Sequence, residues 1–157
     1  MRIAVAFDHA GTPLREAVVT AVRDAGHHGV DLGTWEDYPH AAIAAASAII
    51  DGPAERAIVV CGSGAGVAVA ATKLRGIRAA CCHDTYSAGQ SVEHDDVNVL
   101  CLGARVIGPA LAADCVRAFV SSIFTGEIRH LRRLRQVAEI EISAVAPLSI
   151  PPGDPAP

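Results

Sequence analysis

Aromatic side chains are scarce: six in 157 residues. An interior with so few rings must be filled by Ala, Val, Ile and Leu, and a single-strand nucleic-acid groove built on stacked aromatics is not expected. Charge is thin too, 19% against an average of about 25%. No basic excess exists, since 13 Lys and Arg face 17 Asp and Glu for a formal charge of -4, so there is no field for a polyanion. Long apolar runs are missing. The first, Ile3 to Phe7, is cut by Asp8 and His9 and is too short for a signal peptide. The longest uncharged stretch, Ala57 to Thr72, has sixteen residues and three glycines, short of the roughly 20 apolar residues of a spanning helix. No membrane span and a cytoplasmic location are expected. The five cysteines are an odd number without a CxxC pair, which argues against a disulfide framework or a zinc knuckle. HExxH is lacking as well, so no ligand spacing supports a metal site, and no cofactor is expected.

What is present is an alternation of short apolar runs with longer helical patterns, the signature of βαβ units around a parallel sheet. Strands are expected at 2–7, 28–32, 56–61, 77–82 and 97–102. Helices are expected at 13–25, 39–50, 65–74, 86–93 and 109–124, with proline in the first turn of several and glycine closing others at Gly26, Gly52 and Gly76. The expected fold is one α/β, doubly wound, Rossmann-like domain: a five-stranded parallel sheet flanked by helices. An extra C-terminal helix over 127–143 carries Leu131, Leu134, Val137, Ala138 and Ile142 on one stripe. The domain is expected to span residues 1–143. Residues 144–157 hold five of the nine prolines beyond Pro147 inclusive, a composition expected to be disordered.

In open parallel sheets, ligands bind beyond the carboxyl ends of the strands. Here those ends are polar: Asp8-His9-Ala10-Gly11, then Asp37-Tyr38-Pro39-His40, then Cys61-Gly62-Ser63-Gly64-Ala65-Gly66, then His83-Asp84. The glycine run between a strand and a helix lets bare N–H groups approach an anion. It has neither the Lys-Ser/Thr of a P-loop nor the G-x-G-x-x-G of a dinucleotide site, although Asp84 lies twenty residues after Gly64, where a ribose acid would stand. A tight turn without ligand is the bland alternative. Cys61 stands beside those amides, where a helix N-terminus favours thiolate, and is a candidate base or nucleophile. Cys81, Cys82, Cys101 and Cys115 are read as small buried hydrophobes. Arg129 and Arg133, four apart on one helical face, can hold a phosphate between two guanidinium forks, against the alternative of a solvated charged face. Glu93-His94-Asp95-Asp96 precedes its strand and reaches the rim only if its helix is offset or a second subunit brings it there.

Together these residues resemble the ribose-5-phosphate isomerase type B family, which includes galactose-6-phosphate and allose-6-phosphate isomerases. The resemblance runs to about Glu141. It is carried by Asp8-His9-x-Gly11, Gly33-Thr34 with Asp37-Tyr38-Pro39-His40, Cys61-Gly62-Ser63-Gly64-x-Gly66 with Lys73 and Gly76-Ile77-Arg78-Ala79, Tyr86-Ser87-Ala88, His94 with Asn98-Val99-Leu100, Gly103-x-Arg105-x-x-Gly108, and Arg129-His130-x-x-Arg133. It implies aldose-ketose isomerisation of a sugar phosphate through an enediolate, without metal, with ribose 5-phosphate to ribulose 5-phosphate foremost. Cys61 would remove the proton, Ser63 would help move protons between the two oxygens, and the amides of Gly62, Ser63, Gly64, Ala65 and Gly66 would hold the enediolate. His94 would open the sugar ring, Asp8, His9 and Tyr38 would lie near the substrate, and Arg105, Arg129 and Arg133 would bind phosphate. The resemblance also implies a homodimer or tetramer with sites shared between subunits. A different reading of the same residues is a non-catalytic module binding a sugar phosphate or nucleotide.

One position departs from the family pattern. The usual His-Asn pair is His94-Asp95 here. A carboxylate cannot donate the hydrogen bond an amide gives, and it repels a nearby phosphate. The departure points to a substrate differing in length or configuration from ribose 5-phosphate.

Overall fold

The computed structural model describes residues 1–143; the proline-rich segment 144–157, with the disorder expected of it, lies outside the described residues. The chain divides into two units, Met1–Thr125 and the segment from Gly126 onward.

The first unit is built on five parallel strands: β1 (Arg2–Asp8), β2 (His28–Trp35), β3 (Arg56–Cys61), β4 (Ala79–Cys81) and β5 (Val99–Gly103). Their order in the sheet is β2-β1-β3-β5-β4. Connecting them are α1 (Arg15–Asp24), entered through a short 3-10 turn at Thr12–Leu14, then α2 (Tyr38–Ile50), α3 (Ala65–Ala71), α4 (Thr85–Asp95) and α5 (Pro109–Ser121). In the second unit α6 spans Ile128–Ser143. The doubly wound α/β fold is the one the alternation of runs predicts.

The sequence of β1, Ile3-Ala4-Val5-Ala6-Phe7, is buried throughout and alternates large with small. Because successive side chains face opposite sides of a sheet, the large ones join Ile58, Val60, Leu100 and Leu102 against Val18 and Val22 of α1, Val92 of α4 and Phe119 of α5. The small ones join Ala57, Val59, Val99 and Cys101 against Ala41, Ala42, Ala45 and Ala46 of α2 and Val67 of α3. Each fully buried Phe, Leu or Ile stabilises by about 1.5–3 kcal/mol, so the first face carries most of the apolar driving force. The alanine face lets α2 and α3 sit close to the sheet.

Several boundaries move from those expected. β2 runs on to Trp35, with a register shift opposite Val5 and Ala6 and Gly33 at φ +105. β4 has only three residues. Its expected start is consumed by a turn in which the Arg78 N–H donates to Asn98 Oδ1 at 2.8 Å and the Arg78 guanidinium to Asp96 Oδ2 at 2.6 Å. That ion pair anchors Asp96 in a left-handed conformation, φ +47, as the C-cap of α4. At the other end, the Asp84 carboxylate accepts the Ser87 N–H at 2.7 Å. Held at both ends, α4 is longer than expected, and His94 and Asp95 form its last turn instead of a segment leading into β5. α3 and α5 are shorter than their apolar patterns suggest. In α5 the Arg56 guanidinium takes up the carbonyls of Phe119 and Ser122 at 2.7 and 3.0 Å, which ends the helix. No helix among the described residues is long and apolar enough to cross a membrane.

Candidate active site

β2 lies on one side of β1 and every later strand on the other. α1 leaves β1 across the large-residue face, while α3 leaves β3 across the alanine face. The loops after β1 and β3 therefore diverge, opening a crevice at the switch point of the sheet. It is a cleft of about 350 Å³ lined by Asp8, His9, Ala10, Tyr38, Cys61, Gly62, Ser63, Gly66, Arg105 and Val106.

The floor is made by close backbone approach. A Cβ on Gly11 would lie 2.1 Å from the Val60 carbonyl oxygen, so the turn after β1 stacks directly on β3. Asp8, 5% exposed, steadies that turn by accepting the N–H groups of Ala10 and Gly11 at 2.9 and 2.8 Å through one carboxylate oxygen. The His9 ring is pinned to the next loop at 2.8 Å from the Glu36 carbonyl. A carbonyl only accepts, so Nδ1 carries a proton and Nε2 is the free nitrogen. Tyr38 closes the far wall, its ring 3.2 Å from where a Cβ on Gly66 would stand.

Cys61 ends β3 and is buried at the base of the cleft. Gly64, at φ +79, turns the chain back over it and donates its N–H to the Cys61 sulfur at 3.1 Å. A sulfur that gives up its proton keeps a hydrogen-bond partner there. The Ala65 N–H donates to Ser63 Oγ at 3.3 Å. Two of the amides expected to hold an oxyanion thus serve Cys61 and Ser63, because the left-handed turn at Gly64 aims them backwards. Arg105 reaches the same loop through its backbone, its N–H donating to the Gly62 carbonyl at 2.9 Å.

The other thiols stand apart from this chemistry. Burial pushes Cys101 well above the usual thiol range and Cys82 and Cys115 up to about 11. Desolvation and the neighbouring Cys61 also raise Cys81. Cys81 is exposed, against the expectation of a buried hydrophobe, because it ends a three-residue edge strand. No three His, Cys, Asp or Glu side chains among the described residues gather as metal ligands would.

Eight of the residues singled out in the sequence line the cleft: Asp8, His9, Tyr38, Cys61, Gly62, Ser63, Gly66 and Arg105. Gly64 and Ala65 form the turn behind it. Ala10 and Val106 are additions; only their adjacency to Asp8-His9 and Arg105 could have signalled them. His94 and Asp95 do not join the cleft of their own chain. α4 returns antiparallel to the strands, so both lie near the start of β5, while Cys61 pairs with Gly103 at its end. The five residues of β5 alone span about 16 Å. Arg129 and Arg133 are exposed on α6, in the second unit, with Arg129 paired to Glu127 at 2.8 Å.

A switch-point cleft combining a basal thiol, a hydroxyl, an imidazole and a guanidinium on this fold defines a sugar-phosphate isomerase. The chain belongs to the family described as Ribose/Galactose Isomerase, which it matches over residues 3–137. It is 39% identical over 144 residues to ribose-5-phosphate isomerase B of Escherichia coli, covering 89% of this chain and 96% of that protein. To D-erythrulose-4-phosphate isomerase 2 of Mycolicibacterium smegmatis it is 37% identical over 150 residues, covering 90% and 97%. The solved type B ribose 5-phosphate isomerase of Trypanosoma brucei superposes with a TM-score of 0.84 at 40% identity, covering 88% of this chain and 97% of that one.

Proposed function

We propose that this enzyme interconverts an aldose phosphate and its ketose, ribose 5-phosphate and ribulose 5-phosphate foremost, with Cys61 as the base. The observation that carries the reading is the Gly64 N–H held on the Cys61 sulfur at the floor of the switch-point cleft. The thiolate takes the hydrogen from C2 as a proton, the C–H electron pair forms the C1–C2 double bond, and the π pair of the C1 carbonyl moves onto O1 to give the enediolate. Ser63, within the same cleft, carries the proton between the two oxygens, and Cys61, whose thiol proton exchanges with solvent while the enediolate lasts, protonates C1. No net oxidation occurs. Negative charge develops on oxygen in the transition state, where the amides of Gly62, Ser63 and Gly66, which line the cleft, and the positive charge of Arg105 act most strongly.

His94 as ring opener, Asp95 beside it, and Arg129 and Arg133 as phosphate ligands are read as contributions to a cleft shared with a second copy of the chain. Two features support this. The topology sends His94 to the opposite end of the strands from Cys61, and apolar side chains stand exposed on α2, on α3 and beside the cleft, at Ile43, Val69 and Val106.

A second reading of the substrate, a shorter ketose phosphate, is favoured by Asp95 in place of the expected asparagine and by the comparable identity to an erythrulose-phosphate isomerase. Turnover of a panel of four-, five- and six-carbon sugar phosphates in D2O tests both. Deuterium is expected at the carbon receiving the proton, and complete retention of the substrate hydrogen through repeated turnover would overturn the enediolate route.

A further inference from the structure

Gly103 closes β5 on the side where β4 has already ended, since β4 pairs no further than Cys81 with Cys101. The Gly103 N–H points to that side and has no strand to receive it. Instead, the His83 ring stands in the missing strand's place, its Nε2 accepting the Gly103 N–H at 2.9 Å. A backbone amide only donates, so this nitrogen carries the lone pair and the neutral ring holds its proton on Nδ1.

The amide so fixed bears on the cleft. A Cβ on Gly103 would lie 2.5 Å from the Ser63 carbonyl carbon, and one on Gly64 would lie 3.2 Å from the Gly103 nitrogen and 2.7 Å from the Cys81 sulfur. The Ser63–Gly64 turn thus rests on two supports, the end of β5 and the Cys81 thiol. It is this turn whose N–H reaches the Cys61 sulfur at 3.1 Å. Three links, His83 to Gly103, Gly103 to the turn, and the turn to Cys61, connect an imidazole outside the cleft with the reacting group inside it.

We propose that His83 is a positioning residue for the reaction: by holding the Gly103 amide it sets the height of the Ser63–Gly64 turn and so the orientation of the Cys61 thiol. The proposal rests on the reading of Cys61 as base. His83 touches no substrate, and its removal leaves the two apolar faces of the sheet intact. The consequence falls on kcat rather than on substrate affinity.

His83→Ala and His83→Gln separate the possibilities, because a glutamine oxygen sits as many bonds from the backbone as Nε2 and accepts the same N–H. His83→Ala is expected to lower kcat by about tenfold or more, the scale of a small misplacement of a reacting group, with KM within about twofold of the parent. His83→Gln is expected to restore most of the lost rate. Amide hydrogen exchange at Gly103 and Gly64 should quicken in the alanine variant and recover in the glutamine one. A glutamine variant as slow as the alanine one, a change confined to KM, or undiminished turnover in both would overturn the proposal. Should the alanine variant fail to fold, nitrogen NMR of the parent decides, since a proton on His83 Nε2 is incompatible with the bond to Gly103. Full turnover in Cys61→Ala would instead sink the base assignment, and leaves the exchange and tautomer measurements to judge His83 separately.

Discussion

Cys61 is the thiol of the five that lines the cleft, and desolvation pushes the other four above the usual thiol range. Cys61→Ala is therefore expected to abolish isomerisation while leaving sugar-phosphate binding largely intact, since it removes the base and no anion contact. Calorimetric titration alongside a turnover assay checks both halves, and normal turnover would refute the role. Asp95 gives a second expectation at this scale. If its carboxylate repels the ribose 5-phosphate phosphate, Asp95→Asn should raise kcat/KM for that substrate by about tenfold, or about 1.4 kcal/mol. An unchanged ratio would place the carboxylate away from the ligand. The cleft residues were legible because strand ends, glycines and a lone thiol are local signals. The exposure of Cys81 was not, since it follows from how early the edge strand stops. The backward aim of the Gly64 and Ala65 amides depends on one backbone angle that spacing alone does not give.

Among the elements, the strands and helices were readable from the alternation of apolar runs, and their ends less so. Where an end depends on a distant partner, as with Arg78 on Asp96 or Arg56 on the last carbonyls of α5, the local pattern carries no trace of it. The length of α4 matters most, because it sets where His94 and Asp95 stand. On α6 the four-residue spacing keeps Arg129 and Arg133 on one face, and the expected effect follows from charge. Arg133→Ala should raise KM for a phosphorylated sugar far more than for the free sugar, since a charge-assisted hydrogen bond contributes about 1.5–3 kcal/mol. Equal effects on the two substrates would leave the arginine face as solvated surface. Steady-state kinetics with matched substrate pairs decide the matter.

For the whole molecule, the proposal of a cleft shared between copies makes a distinctive demand. Neither Cys61→Ala nor His94→Asn should turn over alone, yet mixing the two after dissociation should restore about a quarter of the parent rate, because half the re-formed dimers are mixed and each mixed dimer has one complete site. No recovery on mixing would mean each chain works with its own groups. Stability should also respond to alkali. Cys82 and Cys115 are raised from 9.0 to about 11 in the folded chain. Between those values the unfolded chain has lost thiol protons that the folded one keeps, so the thermal midpoint should fall as pH rises from 9 towards 11. A flat midpoint across that range, measured with reductant present, would contradict it.

The position of β5 between β3 and β4 reaches beyond the cleft, into how the chain acquires its shape. β4 comes earlier in the sequence but touches the sheet only through β5. Until Val99 to Gly103 leave the ribosome, the nascent chain holds a three-stranded β2-β1-β3 fragment whose β3 edge still lacks its partner, and β4 has nowhere to dock. The same late strand supplies the amide and the loop on which the Ser63–Gly64 turn rests. Pairing across such sequence separation is slow, and an unpaired strand edge invites other chains. Stalled synthesis before residue 99 should consequently yield aggregation-prone fragments with no trace of the thiol turn, whereas chains released beyond α5 should complete the sheet and the Ser63–Gly64 turn in one step.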